Sequence, residues 1–441
     1  MSLILKLGWV IQLDGWIINN DPMKRIKIVF LCHFSNAEIR NNLDLKNYKF
    51  RNILKKIRGL SLFDYDDFAI WVSDYIQEFE NHPEYEFHIV APHKGMKKEF
   101  QHFEIRGVNY SFYKCDSNYI VDLSNQFFHL KEKNDYSQER RRISSIVESL
   151  CPDIIILCGA ENPYYSSGVL DIENTPIVVI LQTLLNDPKR IEMAIGSSYR
   201  RRIESEIFRH AKFFCTTDNT EAGIIRDINA GANILPVLFP SHRPIVQIPN
   251  TKDYDFVFFA RSISKNKGIE HVLEALAIVK LKKPNVRLNV IGGCAPDYKN
   301  QLDTIIMNKG INDNVVFSGY FNQIQDTYKN VVKSRSVVVP GITASLNSTI
   351  REAMLIGLPT ICYETFATVE INQEKQCLFT AKMEDVQELA KQMLITIDNP
   401  NLARIVGDNG KEYAEREFGN ESIVNNLLRY STQIINNTLR F

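Results

Sequence analysis

The 441-residue chain has no surplus of charge of either sign: 52 lysines and arginines face 52 aspartates and glutamates. Proteins that hold nucleic acid carry a basic excess or stripe, so nothing global points to that partner, and any anionic partner must be held by a local site. None of the eight cysteines stands at Cys-x-x-Cys spacing, and several lie inside apolar runs (FLCHF, IIILCGA, FFCTT, TICYE). This reads as buried thiols in a reducing, cytoplasmic setting rather than a disulfide framework. No Gly-x-Gly-x-x-Gly links a strand to a helix, which argues against a nicotinamide-dependent dehydrogenase. There is no Asp-x-Asp in a plausible donor loop and no His/Cys cluster, so no metal is expected. The apolar N-terminus, MSLILKLGWVIQLDGWIINNDPM, is broken by Lys6 and Asp14. It is a poor membrane span, and it lacks the basic leader and small-residue cleavage site of a signal peptide. Residues 1–22 therefore read as an extension, with anchoring at a membrane surface as the alternative.

What the sequence does contain is 44% hydrophobic and 24% charged residues, enough apolar mass for full cores. Short apolar runs recur at 27–34, 86–92, 152–160, 175–183 and 211–217, as in strands buried on both faces of a parallel sheet. Helical patterns such as 67–81 and 137–150 lie between them. The pattern pauses at PSHRPIVQIPNTK (240–252), whose three prolines mark a linker. A second alternating set follows, with apolar runs at 253–260, 286–293, 314–320, 335–341 and 359–363. Two sets of βαβ units predict an α/β chain of two Rossmann-like, doubly wound domains facing across a cleft. We assign 23–245 to the first, 246–420 to the second, and 421–441 to an amphipathic helix that packs back on the first. Ligands of such sheets lie beyond the carboxyl ends of the strands. Residues 35–66 form a long insert with a basic amphipathic piece, FRNILKKIRGL, and long inserts tend to be functional or mobile.

The stretch DFVFFARSISKNKGIEHVLEAL carries two cations at the mouth of a strand–loop–helix unit. Arg261 ends the strand, and Lys267 with Gly268 precedes a helix with apolar residues at 269, 272, 273, 276 and 279. Two cations and a helix N-terminus suit a diphosphate, although basic residues in exposed loops are common. In ITASLNSTIREAMLIGLPTICY, Glu352 follows a strand and opens a helix that Gly357 and Pro359 close. Its carboxylate suits the hydroxyls of a ribose, but Thr349-x-x-Glu352 also fits a capping box, and one carboxylate has few lone pairs to share.

Arg-x5-Lys-Gly after a strand, with Glu-Ala-Met-x-x-Gly-x-Pro beginning 85 residues beyond the lysine, resembles the retaining glycosyltransferases of family 4, with the GT-B fold. The likeness is strong over 253–420 and weaker over 23–245. It implies a nucleoside-diphosphate sugar, UDP- or GDP-linked, as donor and a glycan or lipid-linked saccharide as acceptor, with no separate cofactor. Arg261 and Lys267 would hold the diphosphate and neutralise the leaving group. Glu352 would hold the ribose, and Gly292 and Gly293 would let the donor approach the backbone. Tyr320 would lie against the base, and the N–H groups around Asn347, Ser348, Thr349 and Ile350 would face the phosphates. Fixed cations where charge develops lower the barrier to breaking a sugar–phosphate bond.

The chain departs from the pattern at three places. The first of the family's two glutamates is replaced by Ala344. Gln182 stands where the family often has a histidine. The glycine-rich turn after the first strand is replaced by CHFSNAE, with Asp64, Asp66 and Asp67 before the next helix. Diphosphate binding reads as retained and sugar recognition as altered. A non-catalytic nucleotide-sugar binder or assembly partner on the same scaffold is the rival reading. Glu161, Asn162 and Gln182, at strand ends facing the cleft, are candidates for sugar or acceptor. His33 reads as a structural histidine and Arg200 to Arg202 as a solvated face, with peripheral membrane contact by these arginines and FRNILKKIRGL as an alternative.

Overall fold

The computed structural model describes residues 25–47, 65, 67–115, 135–241, 243–342 and 346–439. The extension 1–22, FRNILKKIRGL, Asp64, Asp66 and Ala344 lie outside these residues. The first lobe is built on an eight-stranded sheet. Its strands are β1 (Ile26–Leu31), β2 (Tyr85–His93), β3 (Phe100–Ile105), β4 (Val108–Lys114), β5 (Ile154–Cys158), β6 (Ile177–Ile180), β7 (Phe213–Cys215) and β8 (Asn233–Leu235). Their order is β3-β4-β2-β1-β5-β6-β7-β8, and only β3 and β4 pair antiparallel. The second lobe has β9 (Tyr254–Ile263), β10 (Leu288–Cys294), β11 (Val315–Gly319), β12 (Ser334–Val338), β13 (Thr360–Tyr363) and β14 (Phe379–Ala381). Their order is β11-β10-β9-β12-β13-β14 and every pairing is parallel. This is the doubly wound order, whose ligand crevice opens where the winding reverses, at the carboxyl ends of β9 and β12.

The central strands are apolar on both faces because helices cover both: β5 is IIILC and is buried throughout. The β3–β4 hairpin turns on Arg106 and Gly107, both at positive φ (50° and 77°), which suits the right-handed twist of the flanking strands. Arg261 does not end its strand. β9 continues to Ile263 because a register shift in its pairing with β10 lets Gly293 pair with Ser262 and Cys294 with Ile263. The helical run expected over 67–81 spans Ile70–Phe79, and just before it Ser35 and Phe68 exchange backbone hydrogen bonds (3.2 and 3.0 Å).

The described residues between Leu235 and Tyr254 form neither helix nor strand. The long helix Pro400–Glu417 packs on the second lobe through Ala403, Val406 and Ala414. The last helix, Asn420–Ile435, returns to the first lobe, where Ile423, Val424, Leu427, Leu428 and Ile434 join the core around β1 and β2. The Tyr85 hydroxyl and Thr432 Oγ1 are 3.0 Å apart across that contact. Among the described residues no helix is long and apolar enough to cross a membrane.

Candidate functional site

A cavity of about 350 Å³ lies between the lobes, within the range of small-molecule sites. The second lobe lines it with Arg261, Lys267, Gly292, Tyr320, Tyr328, Asn347, Ser348, Thr349 and Glu352; the first contributes Trp71, Gln182, Arg190, Asp218 and Glu221, among others. The cation pair therefore meets the helix that bears Glu352 at one interlobe crevice.

Local chemistry explains the second-lobe wall. The turn Lys265–Lys267 leads through Gly268, at φ +79°, into the helix Ile269–Lys282. A Cβ on Gly268 would stand 2.0 Å from the Pro340 carbonyl oxygen, so only glycine lets this loop close on the one after β12. Ile342 N donates to Asn266 O at 3.1 Å across the same contact. Burial and the positive charge of Arg190 hold Lys267 below the usual lysine range, while Glu352 pulls it the other way. Arg261 is exposed at the rim, its guanidinium 6.0 Å from the centre of the Tyr320 ring.

The helix Ser348–Ile356 corrects one expectation. Its cap is Asn347, whose side chain accepts from the N–H groups of Thr349 (2.8 Å) and Ile350 (3.3 Å). The helix starts at Ser348, so Thr349 is already inside it and the Thr349–Glu352 capping box does not form. Glu352 instead faces the cavity, beside the Tyr328 hydroxyl, whose pKa burial and this carboxylate push well above the ordinary range.

Gly292, at φ +146°, lines the cavity, and a Cβ there would lie 2.0 Å from the Ala260 carbonyl oxygen. Gly293 is not among the lining residues; a Cβ there would be 3.4 Å from the Arg261 carbonyl oxygen, an ordinary contact.

The first-lobe wall holds two more corrections. Glu161 does not line the cavity but lies beneath it, 4% exposed. Oriented to satisfy its neighbours, the Gln182 amide donates to Glu161 Oε1 at 3.1 Å and accepts from Trp71 Nε1 at 3.3 Å. Asn162 Nδ2 also donates to Glu161 Oε1, at 3.1 Å. Burial raises the Glu161 carboxyl to about 7. Gln182 is thus the cavity-facing member of a relay whose buried end is Glu161. Arg200 is no solvated charge: its Nε donates to Glu161 O at 2.8 Å and Nη2 to Asn162 Oδ1 at 3.0 Å, bracing the turn that carries Glu161. His33 packs on Phe68 (ring centres 4.5 Å apart), bonds Tyr164, and is held by burial at about 3, hence neutral. Asp67 pairs with Arg40 at 2.7 Å.

The sequence reading missed Trp71, Arg190, Asp218 and Tyr328. Ala69 stands at the cavity wall in the left-handed region (φ 48°), just before the helix Ile70–Phe79, a conformation that glycine adopts at least cost. For Arg190 a signal was present: Asp187-Pro188 is a cap followed by a first-turn proline, and it marks a short helix after β6.

Residues 242–413 match the family model described as glycosyl transferases group 1. The putative glycosyltransferase EpsD of Bacillus subtilis (strain 168) is 25% identical over 166 residues, 37% of this chain and 42% of that one. The capsular polysaccharide biosynthesis glycosyltransferase CapM of Staphylococcus aureus is 23% identical over 162 residues, 36% and 41% of the two chains. The chain thus spans about four-tenths of the length of these curated relatives. The sucrose-phosphate synthase of Thermosynechococcus elongatus superposes with a TM-score of 0.66 at 14% identity, over 94% of this chain and 100% of that one. HepE of Anabaena, in complex with UDP-glucose, gives 0.59 at 14% identity, over 93% and 100%. The chain has the GT-B fold, two Rossmann-like lobes about a cleft, and its residues 242–413 are similar to the group 1 glycosyl transferases.

Proposed function

We propose that the protein is a glycosyltransferase that takes a sugar from a nucleoside-diphosphate donor, UDP- or GDP-linked, held in the interlobe cavity. The observation that carries the reading is the meeting of Arg261, Lys267 and Glu352 at one cavity wall, in the segment that resembles group 1 glycosyl transferases. Lys267 and Arg261 hold the diphosphate. Glu352 accepts from the ribose hydroxyls, and Tyr320 lies against the base. The N–H groups at the start of the Ser348–Ile356 helix, ordered by the Asn347 cap, face the phosphates. Gln182 and Trp71 meet the sugar or acceptor on the first-lobe side, in the domain assigned to 23–245, with Glu161 holding the Gln182 amide from behind.

As the anomeric carbon–oxygen bond breaks, negative charge grows on the departing diphosphate. Cations already in place stabilise it without reorganising. The acceptor hydroxyl attacks the same face, its oxygen bonds the anomeric carbon, and its proton passes to the departing phosphate oxygen. This gives retention and needs no strong protein base. The likeness to CapM, named for capsular polysaccharide biosynthesis, favours a glycan, free or as a lipid-linked saccharide, as acceptor. Peripheral contact with a membrane surface accords with such an acceptor.

Ala344, in place of the usual carboxylate, and Gln182 favour a second reading: a protein that binds the nucleotide sugar without transferring it. Incubation with UDP- and GDP-sugars, following release of nucleoside diphosphate, separates the two. Slow release that Glu352→Ala suppresses supports the enzyme. Tight binding with no release at all supports the binder, and no binding removes both readings.

A further inference from the structure

We propose that Arg190 is a third cation of the diphosphate site, supplied by the first lobe, and that it grips the phosphate farther from the nucleoside; this rests on the nucleoside-diphosphate reading of the cavity.

Arg190 is delivered to the cavity by a braced arm. The segment after β6 is fixed at its root by Glu204, whose carboxylate accepts from the N–H groups of Leu185 and Asn186, both at 2.9 Å. Asp187 then caps the short helix Pro188–Glu192, its Oδ1 accepting from Lys189 N at 2.9 Å. On either side of Arg190 this arm is docked on the opposite lobe. Lys189 Nζ lies 3.2 Å from Glu384 Oε1, and Met193 packs on the apolar core of the second lobe. The arm crosses the cleft and carries Arg190 to the cavity that Lys267 also lines.

Arg190 arrives there incompletely paired. Its side chain is 11% exposed, and its Nε has no hydrogen-bond partner among the described residues. Asp187 Oδ2 makes a loose ion pair with that nitrogen at 3.9 Å, too far for a hydrogen bond. A buried guanidinium N–H left unpaired is costly. Nearby Asp218 accepts through Oδ1 from the N–H groups of Thr220 (2.7 Å) and Glu221 (3.2 Å), while its Oδ2 is buried with no hydrogen-bond partner among the described residues and leaves the wall one anionic oxygen. Burial raises the Glu221 carboxyl to about 7, which lessens its negative charge. Arg190 also faces Lys267 and depresses its pKa. Two enclosed positive groups on opposite walls are unfavourable until an anion lies between them. Tyr320 and Glu352, which suit the nucleoside, both belong to the second lobe, so a first-lobe cation meets the other end of the ligand.

The assignment makes the terminal phosphate a tie between the lobes. It is tested by titrating the full chain with UDP and UMP, and with GDP and GMP, in the wild type and in Arg190→Gln, Arg190→Lys and Arg261→Ala, each first shown to melt as the wild type does. The expected result is a loss of about 10- to 100-fold in affinity of Arg190→Gln for the diphosphate, the scale of a hydrogen bond to a charged group. Monophosphate affinity should change less than about threefold, and Arg190→Lys should recover part of the loss. Wild-type diphosphate affinity in Arg190→Gln alongside weakened binding in Arg261→Ala overturns the Arg190 assignment and leaves the nucleotide site standing. Equal losses for diphosphate and monophosphate overturn the placement at the far phosphate. Failure of the wild type to bind any of the four overturns the nucleotide reading itself, and the Arg190 assignment with it.

Discussion

Arg351 Nη1, from the helix that bears Glu352, donates to the Phe239 carbonyl at 2.5 Å, so a fully buried arginine of the second lobe closes on the segment where the chain leaves the first. Its guanidinium lies 4.2 Å from the centre of the Phe239 ring, which stands 5.3 Å from that of Trp71. From the first lobe, the Tyr75 hydroxyl donates to the adjacent Leu238 carbonyl at 3.1 Å. The exit segment is thus held from both sides, beside the cavity.

This relationship predicts a split between two substitutions. Arg351→Ala removes a charged hydrogen bond and leaves a void, and should cost roughly 2–4 kcal/mol. Arg351→Met fills much of the volume and relieves Nε and Nη2, which are buried without hydrogen-bond partners among the described residues, so it should cost less than half as much. Denaturant unfolding of both variants checks this; equal losses would show that volume is not what matters there.

The two adjacent glycines at the end of β10 should behave differently. Gly292→Ala meets the Ala260 carbonyl at 2.0 Å in a conformation that L residues rarely adopt, whereas Gly293→Ala meets only an ordinary contact at 3.4 Å. The first should cost about 1–3 kcal/mol and the second within about 0.5 kcal/mol. Melting curves compared at one pH decide it.

Asn347 satisfies N–H groups at the start of the Glu352 helix. Asn347→Ala should lose about 1 kcal/mol of stability, and Asn347→Asp should lose little. If the ordered N–H groups meet phosphate, the alanine variant should also bind nucleoside diphosphate more weakly, as calorimetry would read.

The buried Glu161 carboxyl gives a pH dependence. Its folded pKa is raised by burial to about 7 from an ordinary 4.5, so the folded state binds the extra proton between those values. Stability from this group is therefore lost as pH rises from about 4.5 to about 7 and stays lost above. Glu204 and Glu221, raised to about 6 and about 7 by the same cause, act with the same sign. Glu161→Gln should flatten the decline, and its advantage over the wild type should be larger at pH 8 than at pH 5. An unchanged slope would show that Glu161 ionises normally.

Much of the fold was legible because buried parallel strands write continuous apolar runs, as in IIILC, and Ser137–Leu150 writes its helical period over its whole length. The β3–β4 hairpin went unread because β3 alternates exposed and half-buried residues and β4, though largely buried, is interrupted by Asn109 and Ser111, so neither writes a continuous apolar run. On the site, Arg261 and Lys267 were readable because they belong to one strand–loop–helix unit. Arg190 was only half readable: Asp187-Pro188 marks its short helix, but its place at the cavity depends on an arm crossing to the other lobe, which no local pattern records. The Thr349 capping box failed for a local reason: Asn347, two residues earlier, is the better-placed acceptor. Glu161 was read as facing the cleft, yet it lies one layer down, because strand-end position does not say which side chain covers which.

The central claim is that the cavity holds a nucleoside diphosphate through Arg261 and Lys267. Its most direct test is calorimetric titration of UDP and GDP into the wild type, Arg261→Ala and Lys267→Ala. The account predicts binding of at least one nucleotide by the wild type and a loss of roughly 1.5–3 kcal/mol in each variant, the range for hydrogen bonds to charged groups. Undiminished affinity in both variants would contradict it.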